Sequence, residues 1–253
     1  MMQTRTIVDL RSVRSFERIG ERIVAACRAS WLVHVLVDPD PGTTAEFWSA
    51  VLDPHVKRAP VDEDVQSGQS TGGLWSTVAY DPALQNVFRH SSSAQPLHTD
   101  GAYLEKPPVV VFLACRRAAV AGGATIFLEG RHLLDEVGRR EPALLEALGG
   151  QAIRFGKGAS QIESPILTRD NDGPRLRWNY YAVAPGQGKA VHALVDRFHA
   201  FLGGAAVSPP LQSIRLTPGE AVFFHDHRLL HGRESFSADA MDGRFIWKGG
   251  FNL

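Results

Sequence analysis

Residues 165–181 read PILTRDNDGPRLRWNYY, and this stretch decides the class of fold. Asn171-Asp172-Gly173 is a tight-turn signal, because asparagine, aspartate and glycine tolerate the backbone angles that a short hairpin demands. The apolar runs on either side, 165–168 and 176–181, are too short for helices and predict two antiparallel strands. Working outward, similar runs recur at 152–155, 124–128, 109–115 and 74–79 on one side and at 213–216, 221–224 and 245–251 on the other. Turn formers separate them, and the chain's 24 glycines and 15 prolines are enough to supply many turns. Helical patterns interrupt the series twice, at 131–148 and at 189–202, the second stopped by Gly203-Gly204.

Before the glycine-rich turn at 68–73 the rhythm is different. Phe16, Ile19, Ile23, Val24, Cys27 and Trp31 recur at spacings of three and four, which predicts a helix over 14–35 that Pro39-Asp40-Pro41-Gly42 stops. A second helix is expected from Thr43 or Thr44, with Phe47, Trp48, Val51 and Leu52 on one face. No repeat or low-complexity tract divides the chain, so one domain is expected over 1–253: a mostly helical part, 1–73, and a β-rich part with helical inserts, 74–253. That order predicts a mainly β sandwich or barrel with helical cover.

Charge and hydropathy exclude several functions. Lys plus Arg and Asp plus Glu both number 27, and basic residues cluster only in pairs such as Arg116-Arg117, so neither nucleic acid nor an anionic membrane is expected as a partner. The longest apolar run, 109–115, falls far short of the ~20 residues needed to cross a bilayer. The first twenty residues lack a signal-peptide core, which points to the cytoplasm. Cys27 and Cys115 fit neither a disulfide framework nor a thiolate cluster and read as buried fillers.

Four features could carry chemistry. In His98-Thr99-Asp100 an extended backbone would turn an imidazole and a carboxylate to the same side. In AVFFHDHRLLHGR, residues 221–233, three of the chain's 10 histidines lie close together: His225, His227 and His231. All three could hold zinc. Alternatively, one of them could join His98 and Asp100, and two imidazoles with one carboxylate on one face of a metal are diagnostic of non-haem Fe(II) oxygenases. Arg244, on a late strand, could grip a dicarboxylic acid through paired charge-assisted hydrogen bonds, and the hydroxyl of Thr125 could assist.

HTDGAY, GGATIF, FFHDHRLLHGRESF and GRFIWKGGF, in that order between His98 and Phe251, resemble the taurine dioxygenase-like family of Fe(II)- and 2-oxoglutarate-dependent oxygenases, which includes the clavaminate synthase-like members. The resemblance implies a double-stranded β-helix, a cupin-like jelly-roll barrel, with the metal inside one end. It implies His98, Asp100 and His231 as metal ligands and catalytic residues, and Arg244 with Thr125 as the residues that bind 2-oxoglutarate. The sequence departs from the family pattern at His225 and His227, where members more often carry Asp or Asn and Arg; both are expected to be structural or to support the ligands from behind, and Arg233 is expected to be a structural ion-pair partner rather than a cosubstrate ligand. Halogenating relatives have a small residue in place of Asp100, so hydroxylation is the expected outcome, with O2 consumed and succinate and CO2 released.

A small polar metabolite such as a free amino acid is the expected substrate, ahead of a sulfonate or simple carboxylate. Tyr103, Glu129, Trp178, Asn179, Trp247 and Asn252 are the candidate residues around it. Two other classes compete: a non-redox jelly-roll metalloprotein, of zinc lyase or isomerase type, that uses the three C-terminal histidines, and a binding module that has lost turnover.

Overall fold

The computed structural model describes residues 5–204, 212–238 and 243–253. In chain order its elements are β1 (Thr6–Asp9), α1 (Phe16–Ala29), β2 (Leu32–Leu36), α2 (Pro39–Gly42), α3 (Ala45–Leu52), β3 (Lys57–Ala59), β4 (Ser76–Ala79), β5 (Gln95–His98), β6 (Val110–Arg117), β7 (Ala121–Gly122), β8 (Thr125–Glu129), α4 (Gly130–Arg140), α5 (Pro142–Gly150), β9 (Ile153–Lys157), β10 (Ser160–Ser164), β11 (Leu167–Asp170), β12 (Gly173–Leu176), α6 (Lys189–Gly203), β13 (Gln212–Ile214), β14 (Glu220–His225), β15 (Leu229–Arg233), β16 (Phe236–Ser237) and β17 (Phe245–Asn252). A seven-stranded sheet runs β1-β2-β14-β6-β17-β3, with β4 also paired to β17. A four-stranded sheet runs β13-β8-β15-β5. The two face each other as the walls of a double-stranded β-helix.

Side-chain alternation builds four layers. Along β6, Val110, Phe112 and Ala114 pack outward with α1 and α3, while Val111, Leu113 and Cys115 pack inward. Strand β14 repeats this: Ala221 and Phe223 join the outer core, and Val222 and Phe224 the inner one. From the second sheet, Phe127 and Leu229 enter the inner core, while Leu97, Leu128 and Leu230 face a third core built with α4, α5 and α6. Period two therefore decides which side chains can meet between the sheets.

The helix expected over 14–35 ends at Ala29: Ser30 is extended, its N–H donating to the Ala26 carbonyl, and the chain re-enters the sheet as β2. β2 is buried on both faces between β1 and β14, so its continuous apolar run extends the apparent helical pattern. The helix expected over 131–148 is two helices, because Pro142 cannot continue α4 and instead opens α5. The Asn171-Asp172-Gly173 hairpin forms between β11 and β12. The strand expected over 176–181 gives way to a 3₁₀ turn at Tyr180–Ala182, where the Asn179 side chain accepts from the Tyr181 N–H. Among the described residues no helix is long and apolar enough to cross a membrane.

Candidate active site

His98 ends β5 and His231 sits in the middle of β15; the two strands are antiparallel neighbours and these residues pair directly in register. Leu97 and Leu230 point to the outer helices, so His98 and His231 point between the sheets. Gly232 permits the close approach, because a Cβ there would lie 2.6 Å from the Gln95 carbonyl oxygen. Asp100 follows β5 in a turn pinned through Thr99, whose N–H donates to the Trp178 carbonyl (2.6 Å) and whose hydroxyl accepts from the Trp178 N–H (3.0 Å).

Ligand-type atoms of His98, Asp100 and His231 all lie within 4.8 Å of one another, the one such trio among the described residues. The His98 Nδ1 donates to the Pro96 carbonyl at 2.9 Å, which leaves Nε2 as the lone-pair nitrogen. The His231 Nε2 lies 3.6 Å from Asp100 Oδ2, and its Nδ1 lies 3.3 Å from Asp226 Oδ1. Burial pushes both imidazoles down to about 4, with the neighbouring His231 adding to the effect on His98. They therefore stay neutral, the form a metal ligand must have. Burial opposes the charge on Asp100, but Lys248, His231 and His98 together hold its carboxyl below the usual range. The Lys248 Nζ contacts Asp100 Oδ1 at 2.7 Å, while Asp100 Oδ2 is buried without a hydrogen-bond partner. Two neutral imidazoles and an ionised carboxylate with a free oxygen fit a divalent, non-thiolate metal.

The trio lines a cavity of about 640 Å³ together with Thr125, Arg244 and Lys248. Alternation brings them there: Thr125 precedes the inward Phe127 by two residues, and Arg244 and Lys248 flank the inward Ile246 by two on each side. Arg244 is only 5% exposed, and among the described residues it has no carboxylate partner. Burial, reinforced by Arg233, pushes its guanidinium down to about 9. A buried guanidinium without an internal counter-ion is costly, and a ligand carboxylate would remove that cost.

Of the expected substrate residues, Tyr103 and Asn179 line this cavity. Tyr103 donates to the Glu63 carboxylate, which also pairs with Lys157. Four others do not line it. Trp178 is fully buried in the helical core, where its backbone, not its ring, serves the site. Trp247 has the opposite parity to Ile246 and Lys248, packs edge-on against Trp75 and donates to the Thr43 carbonyl. Glu129 ends β8, ~13 Å along the strand from Thr125 at about 3.3 Å per residue, and Asn252 accepts from the Val109 N–H at the far end of β17.

The three-histidine zinc arrangement does not form. His225 is hydrogen-bonded to the Cys27 carbonyl and His227 to the Leu176 carbonyl, and both line a separate cleft with Trp31 and Arg228. The turn between β14 and β15 carries them away from His231. Arg233 is tied to the carbonyls of Phe88, Ser91 and Ser93 rather than to an acid. Two site residues escaped the motif reading, Lys248 and Asp226. Parity would have found Lys248, two residues beyond the inward Ile246 on β17, but not Asp226, which lies past the end of β14 in the turn before β15.

Comparison with known proteins agrees with this geometry. The family model described as "Taurine catabolism dioxygenase TauD, TfdA family" matches residues 38–249. The chain is 23% identical over 189 residues to gamma-butyrobetaine dioxygenase of Homo sapiens, covering 69% of this chain and 48% of that protein, so it spans about half the length of that relative. It is 27% identical over 223 residues to a uridine-5'-phosphate dioxygenase of a Streptomyces species, covering 78% of this chain and 80% of the relative. Among solved structures, asparagine oxygenase in complex with Fe(II), 3-hydroxyasparagine and succinate superposes with a TM-score of 0.73 at 17% identity, over 98% of this chain and 93% of that one.

Proposed function

Because the chain belongs to the taurine catabolism dioxygenase TauD, TfdA family, we propose that it is an Fe(II)- and 2-oxoglutarate-dependent dioxygenase that hydroxylates a small polar metabolite, with a free amino acid as the first candidate. One observation carries the reading: the His98–Asp100–His231 trio, its two imidazoles buried, lines the same cavity as the buried guanidinium of Arg244, which has no carboxylate partner among the described residues. When bound, the ferrous ion and the keto acid would supply the oxygen activation, with succinate and CO2 released.

The protein's own work is placement. His98, Asp100 and His231 would hold the metal from two adjoining strands and one turn, at the wall of the cavity that they line. Arg244 takes the far carboxylate of 2-oxoglutarate in a charge-assisted pair, with the Thr125 hydroxyl beside it. The carboxylate of Asp100, where halogenating relatives have a small residue, would serve as a third ligand and so favours hydroxylation over halogenation. The amino-acid preference is supported by charges of both signs around the cavity: Lys248, which rests on Asp100, and the segment carrying Asp62, Glu63 and Asp64, in which Glu63 is shared between Tyr103 and Lys157. Tyr103 and Asn179 add neutral hydrogen-bonding groups. The chain is taken as one catalytic domain in a reducing cytoplasm, a placement that the two free, buried thiols of Cys27 and Cys115 support.

Anaerobic addition of Fe(II) and then 2-oxoglutarate to the metal-free protein tests the reading. The expected result is a visible charge-transfer band that His231→Ala abolishes; bound iron without a band contradicts it. Screening amino acids for coupled succinate release, with product mass raised by one oxygen, then identifies the substrate.

A further inference from the structure

We propose that Asp226 is the positioning residue of this metal site, acting through a single carboxylate oxygen that sets both the backbone bearing Asp100 and the ring of His231. The proposal rests on the metal-site reading above. Asp226 is fully buried in the turn between β14 and β15. Its Oδ1 accepts from the Asp100 N–H at 3.0 Å and stands 3.3 Å from the His231 Nδ1. Those two contacts join ligands that lie 131 residues apart in the chain.

The His231 Nε2 faces Asp100 and the His231 Nδ1 faces Asp226. An imidazole that gives Nε2 to a cation must keep its proton on Nδ1, and a buried Nδ1–H needs an acceptor. That nitrogen makes no well-formed hydrogen bond among the described residues, and Asp226 Oδ1 is the acid oxygen facing it. A small ring rotation on ligation would complete the bond. On the other side, holding the Asp100 N–H fixes where its side chain starts, while Lys248 holds one of its carboxylate oxygens and leaves the other free. Asp226 and Lys248 thus frame Asp100 from opposite ends of the residue.

The test uses the full chain with Co(II), which binds ferrous sites and does not oxidise in air. His231→Ala should lose binding. Asp226→Ala should weaken Co(II) by about 10- to 100-fold, the usual cost of removing a group that orients a ligand. Asp226→Asn keeps an acceptor oxygen and should recover most of that loss. A second readout is independent of affinity: in the Zn(II)-loaded wild type, nitrogen-15 NMR should show His231 protonated on Nδ1, with a slowly exchanging imidazole proton that Asp226→Ala releases to solvent. Wild-type Co(II) affinity in Asp226→Ala, or His231 bound through Nδ1, overturns the assignment even if the metal trio is right. Wild-type affinity in His231→Ala overturns the metal site itself, and this role with it.

Discussion

Arg244 is a buried cation with no carboxylate partner among the described residues. Two effects of opposite sign follow. Arg244→Met removes a buried unpaired charge, so the ligand-free protein should melt at the same temperature or higher. The same change removes a charge-assisted pair, so 2-oxoglutarate binding should weaken by about 1.5–3 kcal/mol, roughly 10- to 100-fold. Calorimetry of both variants, with and without the keto acid, reads both effects; lower stability with unchanged binding contradicts the assignment. The imidazoles of the trio give a pH signature. His98 and His231 are pushed down to about 4 by burial, whereas in the unfolded chain they titrate near 6.5. Between these values the unfolded state binds the extra protons, so the contribution of the pair is complete above about 6.5 and is lost as pH falls toward 4. Urea unfolding of the metal-free protein across that range should show a declining midpoint, with a shallower decline in His98→Gln. Equal slopes refute the argument.

The ligand-bearing strands depend on local fit. Gly232→Ala would drive a methyl group against the Gln95 carbonyl, so it should cost roughly 1–3 kcal/mol of stability, as overpacking does, and should weaken metal binding because β5 and β15 must separate. Trp178 gives the contrasting case. Its indole Nε1 is buried without a partner, and its backbone alone clamps Thr99. Trp178→Phe should leave Co(II) affinity within about twofold while changing stability by no more than about 1.5 kcal/mol, the usual range for tolerated core swaps. A large loss of metal with stability retained would instead give the ring a place in the site. These elements also show what a reader of the sequence can and cannot see. Strands β6 and β14 were legible because apolar residues occupy both faces in an unbroken run, and β17 because Phe245-Ile246-Trp247 opens it in the same way. Strand β5 was not, since Gln95-Pro96 reads as loop and its pairing with β15, His98 to His231, is specified 133 residues away. Motif order named His98, Asp100 and His231, whose side chains the structure brings together; Lys248 matters only once β-strand parity has turned it inward, and Asp226 only once the turn after β14 has brought it to His231.

At the scale of the molecule, two sheets share three apolar layers, and the middle layer gives way to the cavity at one end. Phe112 belongs to the outer core against α3 and stacks on Phe223 at 4.9 Å. Phe112→Ala should cost about 3–5 kcal/mol, measured by denaturant unfolding, although the residue is absent from the cavity. Cooperative loss of Co(II) binding at the same denaturant concentration is expected, since β6 joins β14 and β17 in one sheet. Separate transitions would show that the helical N-terminal layer unfolds independently.

The pairing of β15 with both β5 and β8 has a further consequence. His98, His231 and Thr125 ride on one hydrogen-bonded ribbon, whereas Glu63, Tyr103 and Asn179 come from connecting segments at its rim. Drift in those segments can therefore alter which molecule is admitted while the reacting centre stays as built, so a lineage of such proteins could acquire new chemical targets by rewriting its borders alone.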